Sequence, residues 1–341
     1  MDKLIITSGC SYTGAIGSGP PTPEVEGLPD WSHLSDEKAL KYYRGWPDHL
    51  EEHLGVKVLN VGAPAAGNSY IHRATRWAIH DSLKKGYKPE DIHVFSQISS
   101  PDRFELLINK NDIDETSGFG CGCWGKFYDD EAETHKDMDD LDGFWYKHHV
   151  GHNPSNFIPK DTKNVWLKRS LMNIEERGPD NQWGPHDLIG LYYDKFYNEE
   201  YHVLLMMESI LNTQYLCKSL NIQYNIFFGW QILTELPTMF QRLFGFMGGL
   251  FKDDGVYDGS ISSFIDKKMD LPNVNYMLDM VDWDRVWLND EKGGGFREWC
   301  RANLERKYWQ YSKQDSHPSN EGHKQFAQQV IAKLYKESHE N

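Results

Sequence analysis

Residues 4–13 read LIITSGCSYT. Leu4–Thr7 is a short apolar run rich in β-branched side chains, halted at Ser8-Gly9. An apolar run of that length, bounded by a turn signal, reads as a buried strand. Ser11 therefore falls just beyond a strand's carboxyl end. The same grammar repeats outward along the chain. Val56–Val61 is a second strand that runs into the glycine-containing turn Gly62–Asn68. Ile92–Ile98 (IHVFSQI) is a third, Ile222–Phe228 (IQYNIFF) a fourth, and Val274–Leu278 a candidate fifth. Helical stretches lie between them. Trp46–Leu54 carries Pro47 in its first turn, where the missing N–H costs nothing. Further helices are read from Asn68 to about Lys85, near Asn198–Leu220, and from about Asn320 to Glu337 behind His317-Pro318.

Strands alternating with helices predict a mainly parallel five-stranded sheet with helices on both faces. The rhythm breaks over about 106–197 and 279–312, stretches rich in Gly, Trp and Asp. We read both as insertions on a single α/β domain spanning 1–341. No internal repeat is apparent.

Composition narrows the function. With 36 Lys+Arg against 51 Asp+Glu the net charge is −15. An acidic chain does not suit the nucleic-acid backbone, whose phosphates call for clustered Lys and Arg. Aromatics reach 13%, with 12 Trp, which separates the chain from aromatic-poor disordered sequences. The most apolar stretch, Met239–Phe251, carries Arg242 and is shorter than the roughly 18–20 residues a bilayer demands. Leu4–Ile6 is too short for a secretory apolar region. The five cysteines, at 10, 121, 123, 217 and 300, are odd in number and scattered, which does not suit a disulfide framework. A cytoplasmic location, with no membrane and no nucleic-acid partner, is the expectation.

In an open α/β sheet, sites form outside the carboxyl ends of the strands. Three informative groups fall there: Ser11 after strand one, Gly62–Ser69 after strand two, and Asp315-Ser316-His317 before the last helix. A serine hydroxyl is a poor nucleophile until a base takes its proton. That base in turn needs a carboxylate to hold its tautomer.

With those residues in place, the chain resembles the SGNH (GDSL-type) hydrolases. Gly9-Cys10-Ser11-Tyr12-Thr13, the turn ending in Gly67-Asn68, and Asp315-Ser316-His317-Pro318 look like that family's blocks. The resemblance covers roughly 1–105, 200–230 and 310–337, and its opening is similar to members encoded by bacteriophages. It implies a three-layer α/β/α flavodoxin-like SGNH fold and needs no cofactor or metal. It implies Ser11 as nucleophile, His317 as base and Asp315 as orienter. The oxyanion hole it implies has the Ser11 and Gly67 backbone N–H groups as donors. Three departures stand out. Cys10 replaces the usual Asp of block one. Asp-x-His replaces the common Asp-x-x-His. Ser99 stands near the place of the block-three Asn, with Asn68 as an alternative donor. Losing one oxyanion donor costs about 10²–10³ in rate. The activity implied is hydrolysis of an ester, an O-acyl or O-acetyl group on a carbohydrate. The alternative is a non-catalytic binding or structural protein on the same scaffold, virion-associated or self-associating.

Other readings fare worse. The α/β-hydrolase elbow needs Gly two residues after its serine, and Thr13 stands there. Gly9…Gly14 and Gly62…Gly67 match neither a dinucleotide fingerprint nor a P-loop. Met138–Gly143 fails the EF-hand spacing. His135, His148, His149 and His152 with Cys121 and Cys123 lack a second pair at zinc-ligand spacing, although His148 and His152 are one helical turn apart. A Cys10 thiol nucleophile competes with a small buried hydrophobe. Trp124, Trp145, Tyr146, Trp166, Trp183, Tyr192 and Tyr193, among Gly, Asn and Asp, suit either sugar stacking or the stapling of an irregular insertion. Met239–Phe251 is either a lid or a buried helix.

Overall fold

The computed structural model describes residues 3–13, 44–62, 66–99, 101, 199–230, 272–290, 294–305, 308 and 317–340, together with the strands Phe104–Ile108 and Phe144–His148. The main sheet is built from β1 (Leu4–Ser8), β2 (Lys57–Asn60), β3 (Ile92–Ile98), β6 (Gln223–Phe228) and β7 (Val286–Trp287). Its order is β2-β1-β3-β6-β7, and every pairing is parallel. The strands β4 (Phe104–Ile108) and β5 (Phe144–His148) form a separate antiparallel pair. Every residue of β1 and of β3 is buried. A parallel sheet is covered on both faces, so neither strand alternates between buried and exposed residues, and the polar side chains Thr7, Ser8, His93, Ser96 and Gln97 are buried with the apolar ones.

Parallel strands need crossovers, and helices supply them: α1 (Trp46–Leu54), α2 (Asn68–Lys84), α3 (Glu199–Leu220), α4 (Pro272–Leu278), α5 (Phe296–Asn303), α6 (Asn320–Phe326) and α7 (Ala332–Glu340). A π-helical turn, Ala327–Ile331, joins α6 to α7 without a break. The two faces of β3 identify the layers, since successive side chains alternate. Phe95 meets Trp46 of α1, ring centroids 6.3 Å apart. Ser96 meets Ser8, whose Oγ lies 2.7 Å from Thr75 Oγ1 of α2. So α1 covers one face with α6, the π turn and α7, while α2 covers the other with α3 and α4. The fold is the three-layer α/β/α arrangement that the alternation of strands and helices predicts.

Val274–Leu278 is not the fifth strand. It lies within α4, where Val274, Met277 and Leu278 are buried and Tyr276 is exposed. Burial at i, i+3 and i+4 is the helical period, not the strand period. The fifth strand is the two-residue β7, inside the 279–312 stretch. His148 closes a strand, and His135, His149, His152, Cys121 and Cys123 lie outside the described residues. Among the described residues no helix is long and apolar enough to cross a membrane. No three His, Cys, Asp or Glu side chains among them gather as a metal site.

Three histidines inside the fold stay neutral because burial penalises their charged form. His72 is lowered to about 4, His93 to about 3 and His202 to about 4. An unfolded histidine titrates near 6.5. Between that value and the folded values the unfolded chain binds more protons, so stability falls as pH drops through the window. Each group contributes at most about 1.4 kcal/mol per pH unit there. The thermal unfolding midpoint should therefore fall from about pH 7 to about pH 5, as read by circular dichroism. A midpoint that holds level across that interval would contradict neutral burial.

Candidate active site

At the carboxyl edge of β1 the chain turns sharply. The Thr13 N–H donates to Cys10 O at 2.9 Å, closing a turn around Ser11 and Tyr12. Ser11 is buried. Its Oγ lies 2.7 Å from His317 Nε2, a contact between residues 306 positions apart. With the ring proton on Nδ1, Nε2 accepts the serine O–H. The structure thus brings together two of the residues singled out in the sequence. Asp315 lies outside the described residues.

The start of the last helical segment holds His317 there. Ser319 caps α6, its Oγ accepting the Gly322 N–H at 3.2 Å and donating to Tyr308 O. Asn320 Oδ1 accepts from His49 Nε2 at 2.8 Å, and His323 Nδ1 accepts the Trp46 N–H at 3.1 Å. Both contacts tie α6 to α1. Because it accepts at Nδ1, His323 must carry its proton on Nε2. Burial holds His323 well below the usual imidazole range, helped by the nearby His49 and His317. Burial lowers His49 as well. The ring of Tyr12 lies 5.0 Å from that of His317. Tyr12 is backed in turn by Trp230 at 5.5 Å and Phe296 at 5.9 Å. An aromatic wall therefore fixes one side of the imidazole.

Two of the residues offered as oxyanion donors, Asn68 and Ser99, meet in the structure. Gly67 is the N-cap of α2, following β2. Asn68 Nδ2 donates to Ser99 O at 2.9 Å, and the Ser99 N–H donates to Asn68 Oδ1 at 2.8 Å. Ser99 follows β3, and β1 lies between β2 and β3. The start of α2, which follows β2 in the chain, therefore reaches the end of β3, on the other side of β1. The backbone N–H groups of Ser11 and Gly67 have no hydrogen-bond partner among the described residues. Ser99 Oγ is buried and also has none there. Asn68 acts as a clamp on the Ser99 backbone through one Nδ2 N–H and its Oδ1.

Sequence reasoning missed the polar groups beneath the turn. Thr13 Oγ1 donates to Gln97 Oε1 at 2.7 Å, and Asn60 Nδ2 donates to Thr13 O at 3.0 Å. Asn60 Oδ1 accepts from Thr7 Oγ1 and from the Gly62 N–H. A signal was available: Asn60 and Gln97 are amides at the carboxyl ends of strands, where a purely structural interior would be apolar. Cys10 is a buried free thiol beside Ser11, as are Cys217 and Cys300 elsewhere.

No family model matches the chain, and no curated protein matches its sequence. Among solved structures it is similar to phospholipase A1 from Streptomyces albidoflavus NA297. That likeness has 10% identity and a TM-score of 0.31, and covers 98% of this chain and 100% of that one. At that level it says nothing about the site, which rests on its own geometry.

The tie between α6 and α1 gives a test. His323→Leu keeps the bulk but leaves the Trp46 N–H buried without its acceptor. It should lower the urea unfolding free energy by about 1–3 kcal/mol. An unchanged midpoint would show that the His323–Trp46 contact does not hold α6.

Proposed function

We propose that this chain is a serine esterase of the SGNH type. The observation that supports it best is the 2.7 Å contact between Ser11 Oγ and His317 Nε2 at the carboxyl edge of a parallel sheet. As His317 Nε2 takes the serine proton, Oγ attacks the carbonyl carbon of an ester. The carbonyl oxygen becomes an oxyanion, stabilised by the Ser11 and Gly67 N–H groups and the Ser99 hydroxyl. Such preorganised donors are worth several kcal/mol each in a water-poor site. The intermediate collapses with expulsion of the alcohol, which takes its proton from His317 Nε2. Water then attacks the acyl-serine by the same route in reverse, returning free Ser11 and a carboxylic acid. Asp315, two residues before His317, is the carboxylate assigned to hold Nδ1–H. Protein groups supply every proton and charge in this sequence, so it calls for no cofactor.

The substrate class we assign is an O-acyl or O-acetyl carbohydrate. Its support is compositional: Trp and Tyr interleaved with Gly, Asn and Asp through 106–197 suit stacking on sugar faces. Trp124, Trp166, Trp183, Tyr192 and Tyr193 lie outside the described residues, and only the backbone is described for Trp145 and Tyr146.

Ser11→Ala should abolish both covalent labelling by a fluorophosphonate and release of p-nitrophenol from p-nitrophenyl acetate. It removes one oxygen from a turn, so the melting temperature should move little. Wild-type activity should fall on acidification, because a protonated imidazole cannot accept the serine proton. Mass spectrometry of the labelled protein reads the first outcome directly. A wild type that neither labels nor hydrolyses acetyl esters across about pH 6–9 would leave a non-catalytic scaffold as the reading.

A further inference from the structure

We infer that Gln97 is a positioning residue for the nucleophile turn, acting as a strut that fixes where Ser11 Oγ stands against His317. This rests on the serine-esterase reading above. Gln97 is the penultimate residue of β3 and is fully buried. Its amide spans the turn from end to end. Oε1 accepts the Thr13 hydroxyl at 2.7 Å, while Nε2 donates to Cys10 Sγ at 3.1 Å and reaches Ile98 O at 3.4 Å. Cys10 and Thr13 are the residues on either side of Ser11 and Tyr12, and their own backbone bond closes the turn.

The Trp46 indole gives this strut its direction. It can only donate, and it points at Thr13 Oγ1 from 3.4 Å. The threonine hydroxyl accepts from Trp46 and sends its own proton to Gln97 Oε1. That assigns the amide oxygen to the Thr13 side and the NH₂ to the Cys10 side. Space for the amide is reserved on both sides. A Cβ on Gly9 would collide with Thr13 Oγ1 and Gln97 Oε1, and a Cβ on Gly229 would collide with Gln97 Nε2. Burying an amide on a sheet is costly unless all its groups are paired. A buried apolar side chain would fill the same space without that cost, so the amide's contribution is its two-ended grip. Neither end touches Ser11 Oγ or His317, so the grip works through the residues beside the serine: the backbone of the turn, and Cys10 Sγ, which lies 4.0 Å from Ser11 Oγ.

The test compares wild type with Gln97→Met, which keeps the unbranched length, and with Thr13→Val, which keeps the shape of its side chain. Active sites are counted by fluorophosphonate titration, so that misfolded protein does not enter the rate. Per active site, each variant should lower kcat for p-nitrophenyl acetate and the labelling rate by roughly tenfold to a hundredfold, the cost of a displaced nucleophile. KM should stay level, because the strut makes no contact with substrate. The double variant should be no slower than the slower single, since both cut one strut. A merely structural role predicts the reverse pattern: fewer active sites, each turning over at the wild-type rate. That pattern, or rates within about twofold of wild type, overturns the inference. If Gln97→Met does not fold, Thr13→Val decides alone. A wild type that does not label at all refutes the esterase reading itself, and the positioning role falls with it.

Discussion

β1 sits inside a parallel sheet with a strand on each side, and that placement constrains everything near Ser11. A chain leaving the sheet between two neighbours is enclosed as it turns. Buried backbone and hydroxyl groups call for partners there. The neighbours therefore bring polar side chains to the end of β1: Asn60 from β2 and Gln97 from β3. The start of α2 closes the enclosure from above by reaching from β2 to Ser99. The Ser11 turn is thus held from both neighbouring strands.

The second half of the site arrives from the far end of the chain. His317 lies on the approach to α6, and α6 is tied to α1 through His323 and Asn320. Helix α1 is in turn fixed by Trp46, whose ring packs on Phe95, Phe227 and Phe326. Trp46 thus serves both halves. Its backbone N–H holds α6, and its indole N–H orients Thr13 beneath the serine. An aromatic core and a reactive pair are coupled through one side chain.

Much of the arrangement was legible before any coordinates. The strands β1, β3 and β6 are short runs dominated by Ile, Leu, Val, Phe and Tyr, bounded by turns, a pattern that needs no tertiary knowledge to read. Ser11 and His317 were legible because the carboxyl edge of such a sheet is where sites form. The edge strand was not, because two residues, Val286 and Trp287, carry no periodicity. The helix α4 was misread because five residues, Val274–Leu278, contain too little of either period to choose between them. Gln97, Thr13 and His323 could not be assigned by spacing at all. Their roles come from partners 84, 33 and 277 residues away, and a linear pattern does not carry such distances.

The π-helical turn at Ala327–Ile331 has a consequence for how this chain tolerates change in length. An α-helix advances about 100° per residue, so a buried face normally recurs three or four positions on. Here Phe326 and Ile331 are five apart, and both are fully buried. The Ala332 N–H donates to Ala327 O, the i→i+5 bond of the wide turn. One residue is thus accommodated as a bulge rather than as a rotation of α7. Deleting a single residue between 327 and 331 would restore an ordinary helix. It would not shorten the core so much as twist its last piece, swinging Tyr335 away from His93. The wide turn acts as a gear that sets the phase of α7 against the sheet.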